Sequence, residues 1–515
     1  MPVVVAIDAG TTGVRSLAVG LDGQVVAVSY RELTQYFPAP GLVEHDAAEI
    51  WQLVETTLVE LLEGLAAGGK DATVAAIGMT NQRETAIAWD RRTGKALHRA
   101  IVWQDRRTAR RCEELEAAGH LPFVRETTGL VLDSYFSGTK WAWMLDEGGI
   151  DAAKSPHLAL GTVDDWICWN LTGGPEGGVH ATDVSNASRT LCYDIRNRCW
   201  SEELCQLLGV PIRALGDVLP SSGRFGLVNN EVAGGAAANV PLSGIAGDQQ
   251  AALFGHCCFE PGMTKVTFGT GSFVLMNLGG SCPPPTPGLL TTVAWQIGDD
   301  VTYALEGAVF ASGATIQWLR DGLGIITQAA DTGPLASSLD TNDGVYLVPA
   351  FTGLGSPWWD PDARATVVGL TRGTGRAHLA RAAVEAMAYQ TRDVLDVMSA
   401  AGGHPVKLLR ADGGAAAMDL LLQLQADQSR VTVVRPRTTE VTALGAAMLA
   451  GLAEGVWGSI DDLRSLSRAE ATFEPVASVA KADRDHAGWL RALERSRSLA
   501  VTSSVLAVDW GHRRP

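Results

Sequence analysis

The sequence predicts an α/β protein of two or more domains, and three observations carry that expectation. The chain has 515 residues, too many for one hydrophobic core. Short apolar β runs alternate with helix-periodic stretches, as in sheets covered by helices. A strand, a Gly/Thr turn and a second strand occur at the N-terminus and again just past the middle of the chain.

Composition narrows the function classes. With 46% hydrophobic and 19% charged residues, the chain reads as an ordinary soluble protein. A net charge of −16 argues against a nucleic-acid or anionic-membrane partner, which needs a basic face. A polyanion such as ATP would then need local arginines, backbone N–H groups and Mg²⁺. The opening MPVVVAIDAG has no basic leader, and no apolar run is long enough to span a bilayer. The eight cysteines form no paired C-x-x-C arrangement, which points to reduced thiols in a cytoplasm. The ten histidines include no H-x-x-x-H, so no zinc site is expected.

Val3 to Asp8 is an apolar β run ending on a carboxylate, followed by the turn AGTTG. Arg15 to Leu21 alternates as a second strand, Asp22-Gly23 signals a hairpin, and Gln24 to Tyr30 returns as a third. The first turn can offer backbone N–H groups and the hydroxyls of Thr11 and Thr12 to a phosphate, or it can be an ordinary hairpin loop. Asp46 and Glu49 form a capping-box pattern before a helix with an apolar face at Ile50, Val54, Leu58, Leu61, Leu62 and Leu65. That helix ends in GLAAGGKD, which nearly spells a P-loop. Asp71 stands where a magnesium-binding Ser or Thr belongs, so the glycines read as a helix C-cap.

Val74 to Thr80 is a buried strand with NQRE at its end, the end where α/β sheets gather ligands. Arg83 supplies a fork of donors and Glu84 supplies acceptors; the pair suits a small polyol or a solvated surface pair. The strand Ala100 to Trp103 follows. Trp103 is core or a flat wall for the polyol's C–H face, and Tyr135 adds a phenol at a helix start.

Midway lies GIAGDQQAALFG, Gly244 to Gly255. Its Asp248 can cap the next helix or serve as general base for a hydroxyl attacking a phosphoryl group. Lys265 to Phe268, the turn Gly269-Thr270-Gly271 and Ser272 to Leu278 then repeat the opening hairpin. Strands at Thr291 to Gln296 and Val301 to Glu306 precede a helix from Ala308 carrying Gly313 and Gln317. Leu408 to Ala411 leads into the turn Asp412-Gly413-Gly414 and the helix Ala416 to Gln425. That glycine pair lets a flat ligand approach the backbone or simply makes a tight connection. TEVTALGAAMLAGLAEG is the last clear helix, and the tail beyond about Leu499 is polar.

DAGTTGVRS, AIGMTNQRE, AIVWQDRRT, YFSGTKWAWML, GTVDDWICWNLTG, SGIAGDQQAALFG, FGTGSF, EGAVFASGATIQWLRD, VPAFTGLGSPWWDP and VTALGAAMLAGL together resemble the FGGY family of carbohydrate kinases. The likeness is collinear from about Val3 to about Gly455. NQRE with GDQQAALFG points to the glycerol-phosphorylating members rather than the pentulose or hexulose kinases.

The resemblance implies two similar actin-like, ribonuclease H-like domains with mixed sheets, residues 1–255 and 256–515, and an active site in the cleft between them. It implies ATP-dependent phosphorylation of glycerol to sn-glycerol 3-phosphate with Mg²⁺. Arg83, Glu84, Tyr135, Asp248 and Gln249 would bind the hydroxyls, and Trp103 and Phe273 would pack the carbon edge. Thr11, Thr12, Gly13, Arg15 and Thr270 would line the phosphates. Gly313, Gln317, Gly414 and Met418 would lie near the nucleotide, and Asp8 would help hold magnesium. A homo-oligomer, dimer or tetramer, is expected. Another polyol or triose, such as erythritol or dihydroxyacetone, is the alternative substrate, and a non-catalytic polyol-binding regulator is the alternative role.

Three departures from the family pattern stand out. Met418 occupies the Asn position of G-G-x-x-x-N near the adenine. Gly13 and Val14 stand where Ser or Thr is frequent, so a hydroxyl toward phosphate is missing. The loop GGAAAN, Gly234 to Asn239, lacks the arginine that some members use for a sugar-bisphosphate regulator, so that regulation is not expected.

Overall fold

The computed structural model describes residues 2–67 and 72–497. The expected C-cap at Gly68-Gly69, with Lys70 and Asp71 of the near-P-loop stretch, and the tail from about Leu499 lie outside the described residues.

A 13-stranded sheet runs through the molecule. Its strands in chain order are β1 (Pro2–Ala9), β2 (Gly13–Gly20), β3 (Val25–Glu32), β4 (Thr73–Asn81), β5 (Ser222–Leu227), β6 (Pro241–Gly247), β7 (Met263–Phe268), β8 (Ser272–Gly279), β9 (Leu290–Ile297), β10 (Asp300–Val309), β11 (Leu408–Asp412), β12 (Val433–Pro436) and β13 (Ala469–Phe473). Across the sheet they lie in the order β13-β12-β11-β7-β8-β10-β9-β5-β6-β4-β1-β2-β3.

This order contains one pattern twice. β1 pairs antiparallel with β2, and β2 with β3, while β4 lies parallel to β1 and β6 parallel to β4. β7, β8, β10, β11 and β12 repeat those pairings in the same sequence. The two copies join through β5 and β9, where Ser222 pairs with Ile297. The likeness read from two short hairpins therefore extends to five strands in each half.

Helices fill the layers on either side. α1 (Ala47–Ala67) packs on β2 and β3 through Ile50, Val54, Leu58, Leu61 and Leu65, with Leu62 half-buried. Asp46 caps it, accepting from Ala48 N at 2.9 Å. Glu49 does not reach back as a capping box would: its Oε1 accepts from Thr34 N at 3.0 Å and Thr34 Oγ1 at 2.7 Å, tying the helix to the exit of β3. In the second half α3 (Arg376–Ala401) plays the part of α1. Between the halves, α2 (Asp248–Gly255) packs against α4 (Val441–Ala453), and one apolar cluster joins Val4 and Ala6 of β1, Leu275 of β8, Ala304 of β10, Leu253 of α2 and Leu444 of α4. The core thus has an outer layer on each half and a shared layer between them.

Three expectations are corrected. β10 runs on to Val309, because Ala308 pairs with Phe273 in the ladder, and the helix expected from Ala308 begins at Gly313. The strand at Ala100 shrinks to Ala100–Ile101. The chain after α4 adds β13 and α5 (Val479–Ser496), whose buried face includes Ala482, Trp489 and Leu493. Among the described residues no helix is long and apolar enough to cross a membrane, and all eight cysteines are free.

Candidate active site

Asp248 leaves β6 and opens α2 in one step. Gly247, not Asp248, holds the N-cap position. The carboxylate Oδ1 accepts from the adjacent Gln249 N at 2.7 Å and lies 3.2 Å from Arg83 Nε. The side chain is 32% exposed, so it can still meet a ligand. A Cβ at Gly247 would stand 2.7 Å from Arg83 Cδ, which explains why glycine precedes the acid: Arg83 crosses directly beneath the turn.

Arg83 and Glu84 follow the C-terminal end of β4, and Glu84 adopts a positive φ of 61°, a conformation that non-glycine residues hold mainly where surroundings enforce it. Arg83 is buried. Its Nη1 donates to Glu306 Oε2 at 2.5 Å and Gln250 Oε1 at 3.2 Å, and its Nη2 to Tyr135 OH at 3.2 Å. A second buried guanidinium, Arg189, donates from Nε to Glu84 Oε1 at 2.7 Å and from Nη2 to Glu306 Oε1 at 2.8 Å. Arg83 Nε lies 3.7 Å from Glu84 Oε1, so two arginines and two glutamates form a closed buried ring, and buried charges need such pairing. Burial raises Glu84 above its ordinary range despite both arginines. Burial also works to raise Glu306, but Arg189 and Arg83 outweigh it and draw the carboxyl down to about 2.

Above this ring stand aromatic side chains. Trp103 and Tyr135 are both half-buried and meet edge to face at 5.7 Å. Trp103 Nε1 donates to Thr11 Oγ1 at 2.9 Å, so the aromatic wall is joined to the first Gly/Thr turn. Phe273 stands apart from the hydrogen-bonded set, in β8 opposite Ala308, packed on the apolar layer between the halves.

Gln249 is held from behind. Its Oε1 accepts from Lys265 Nζ, which also donates to Thr267 Oγ1 at 3.0 Å. Burial lowers Lys265 to about 8 against the opposing pull of Asp412 and Asp248. Asp412 in turn meets His256 Nε2 at 3.0 Å.

The two Gly/Thr turns occupy equivalent places, between β1 and β2 and between β7 and β8. In the first, Thr12 is exposed and Gly10 N donates to Gly13 O at 3.0 Å. Asp8, just before it, lies in the field of Asp248; burial, with Asp248 and Glu440 adding to it against Arg15, pushes its carboxyl up to about 7. Arg15 on β2 pairs with Glu440, the residue before α4, so this contact crosses from the first half to the second. In the second turn Thr270 is exposed. Gly313 N donates to Gly269 O at 2.9 Å and Ala314 N to Thr270 O at 3.0 Å, which fixes Gly313 beside the turn. Gln317 is exposed at the end of the same short helix. Gly414 opens a 3-10 turn after β11, and a Cβ there would meet nothing within 4 Å. Met418 ends that turn, half-buried, with its Cγ 3.2 Å from the position of a Cβ at Gly333.

Sequence reasoning missed Arg189, Glu306 and Lys265. Glu306 carried a signal: a lone carboxylate inside the apolar strand VTYALEGAV has to find a cation. Nothing local in SNASRTL identified Arg189 as one of its two partners.

Comparisons with known proteins agree with this arrangement. The family model for the N-terminal domain of the FGGY family of carbohydrate kinases matches residues 3–255, and the model for its C-terminal domain matches residues 264–454. A curated glycerol kinase of Dechloromonas aromatica is 52% identical over 96% of this chain and 97% of its own length. One of Carboxydothermus hydrogenoformans is 51% identical over 97% and 99%. Among solved structures, Plasmodium falciparum glycerol kinase with ADP superposes with a TM-score of 0.90 at 33% identity, covering 97% of this chain and 99% of that one. A xylulose kinase of Lactobacillus acidophilus, 19% identical with a TM-score of 0.86 over 96% and 98% of the two chains, shares the fold. The architecture is therefore the two-domain, actin-like one with a large mixed sheet. The duplicated strands, the paired Gly/Thr turns and the likeness over nearly the whole length lead to one statement: this chain belongs to the FGGY family of carbohydrate kinases.

Proposed function

We propose that the chain transfers the γ-phosphoryl group of ATP to glycerol, giving sn-glycerol 3-phosphate and ADP. The observation that carries this reading is the bond from Trp103 Nε1 to Thr11 Oγ1 at 2.9 Å. It sets a wall suited to a carbon chain directly beside a turn suited to phosphate, with Asp248 anchored to the same site through Arg83. Relatives sharing half their residues with this chain carry the name glycerol kinase, which supports glycerol as the acceptor.

In this reading Arg83, Glu84, Tyr135, Asp248 and Gln249 take the hydroxyls, while Trp103 and Phe273 pack the carbon edge. Asp248 accepts the proton of the attacking 3-hydroxyl as the new P–O bond forms. Thr11, Thr12, Gly13 and Arg15 meet the phosphates from one side and Thr270 from the other, placing donors where charge develops. Gly313, Gln317, Gly414 and Met418 border the nucleoside. Phosphoryl transfer gains mainly from such positioning and charge neutralisation. Mg²⁺ binds hard oxygens and keeps several waters, and Asp8 and Asp248 supply carboxylates at one end of the sheet, where Thr80 of β4 pairs with Asp8 on one side and Ala246 on the other. Bound there with Asp8, the ion would neutralise charge on the β- and γ-oxygens.

The division at residues 255 and 256 belongs to the same proposal, supported by each five-strand set lying on its own side of it. So do a cytoplasmic location, in keeping with eight free cysteines, and a homo-oligomer. The decisive experiment is a coupled ADP-release assay across polyols and nucleotides. ADP formation should depend on glycerol, with lower kcat/KM for erythritol and dihydroxyacetone. A panel in which glycerol is no better than these, or produces no ADP, overturns the assignment.

A further inference from the structure

The first phosphate turn lacks a side chain at Gly13, and the structure shows what fills that space. A Cβ at Gly13 would stand 2.6 Å from both Cε2 and the hydroxyl oxygen of Tyr30, and 2.5 Å from Arg31 O. Tyr30 lies on β3 directly opposite Arg15 of β2. Residue 13 is its diagonal neighbour on the same face, within reach of a long aromatic side chain. The Tyr30 ring also sits under the Arg15 guanidinium, 5.3 Å from its centroid.

We infer that the Tyr30 hydroxyl replaces the missing residue-13 side chain as a donor to the polyphosphate of the nucleotide. This deepens the kinase reading and rests on it. Tyr30 is 38% exposed, so its hydroxyl is open to a ligand in the turn. Among the described residues its one hydrogen bond is long, 3.4 Å to Thr12 O. That carbonyl already accepts from Leu33 N at 3.0 Å, so the hydroxyl can turn to a phosphate oxygen without orphaning an acceptor. The same ring braces Arg15, so one side chain on β3 supports two contacts to the phosphates.

Tyr30→Phe separates this role from packing, since it keeps the ring over Gly13 and Arg15 and removes only the hydroxyl. Binding of ADP, of a non-hydrolysable ATP analogue and of adenosine is measured by calorimetry in the full chain, alongside Tm. The variant should bind the ATP analogue and ADP about tenfold more weakly, the scale of one hydrogen bond to a charged group, with adenosine affinity and Tm unchanged. Equal affinity of wild type and variant for the phosphate-bearing ligands overturns the inference, as does an equal loss for adenosine. If the wild-type chain binds none of the three, the kinase reading has failed instead, and the two failures remain distinct. Tyr30→Ala adds a second arm: it should lose more phosphate affinity than Tyr30→Phe, because Arg15, still paired with Glu440, also loses the ring packed against it. A loss no greater than that of Tyr30→Phe contradicts the bracing of Arg15.

Discussion

Arg83 Nε lies 3.2 Å from Asp248 Oδ1, while the same guanidinium donates to Glu306 and Tyr135. The acid at the start of α2 is therefore held by a cation that follows the end of β4, while its side chain stays 32% exposed. A carboxylate fixed in this way keeps its geometry when its charge is removed. Asp248→Asn should lower kcat by about 10²-fold or more, the usual scale of general-base catalysis, with little change in Tm. Near-normal turnover would remove Asp248 from the chemistry.

The buried ring of two arginines and two glutamates predicts a larger structural effect. Glu306 accepts from both Arg83 and Arg189, so Glu306→Gln leaves two buried guanidinium groups poorly compensated. Breaking such a set costs about 3–5 kcal/mol, and Tm at neutral pH should fall accordingly. The pH dependence has a definite sign. The folded-state carboxyl is held at about 2 against an ordinary 4.5, so its stabilisation is present above 4.5 and is lost as pH falls toward 2. Wild-type and variant Tm curves should converge across that window. Parallel curves would show that Glu306 does not carry the charge balance.

Met418 offers a prediction with two readouts. It is the N-cap of the helix Asp419–Ser429, with extended φ/ψ of −88° and 105°, and it makes no side-chain cap bond. Asn is a far better cap than an apolar residue, by about 1 kcal/mol. Met418→Asn should therefore raise Tm, and if an amide there also reads the base it should lower the KM for ATP and sharpen ATP over GTP. A higher Tm with unchanged nucleotide kinetics would assign the position to helix capping alone.

The parts legible in the sequence were those whose signals are local. The Gly/Thr turns, the Asp22-Gly23 hairpin and the apolar face of α1 each declare themselves within a few residues. Asp248 was legible as a carboxylate at a glycine turn, but its capping reading failed because Gly247 takes the cap. The Arg83 partners were not legible: Glu306 lies 223 residues away, and nothing in a strand's own sequence names a partner at that distance. The same holds for Ala308, where helix-forming neighbours suggested a helix and the ladder to Phe273 kept the strand. Glu49 shows the reverse: the capping pattern was present, and Thr34 in the loop after β3 captured the carboxylate.

α2 and α4 meet backbone to backbone at Gly255 and Gly445. A Cβ on Gly445 would stand 1.9 Å from Ala251 O, and one on Gly255 would stand 2.2 Å from Val441 O. Both obstacles are backbone, so neither can turn aside, and the helices must separate to admit even a methyl group. Gly64 in α1 is the contrast, because a Cβ there meets nothing within 4 Å. Gly64→Ala should be neutral or stabilising by about 0.5–1 kcal/mol through helix propensity alone. Gly445→Ala should instead cost about 2–3 kcal/mol as an overpacked contact, despite the same gain in propensity. It should also reduce kcat beyond what lost stability explains. α2 begins at Asp248 and α4 follows Glu440, so separating the helices moves the proposed base away from the Arg15–Glu440 pair. Tm by calorimetry and kcat at saturating substrates, measured for both variants, decide the matter. If Gly445→Ala behaves like Gly64→Ala in both, close helix contact does not set the geometry between the halves.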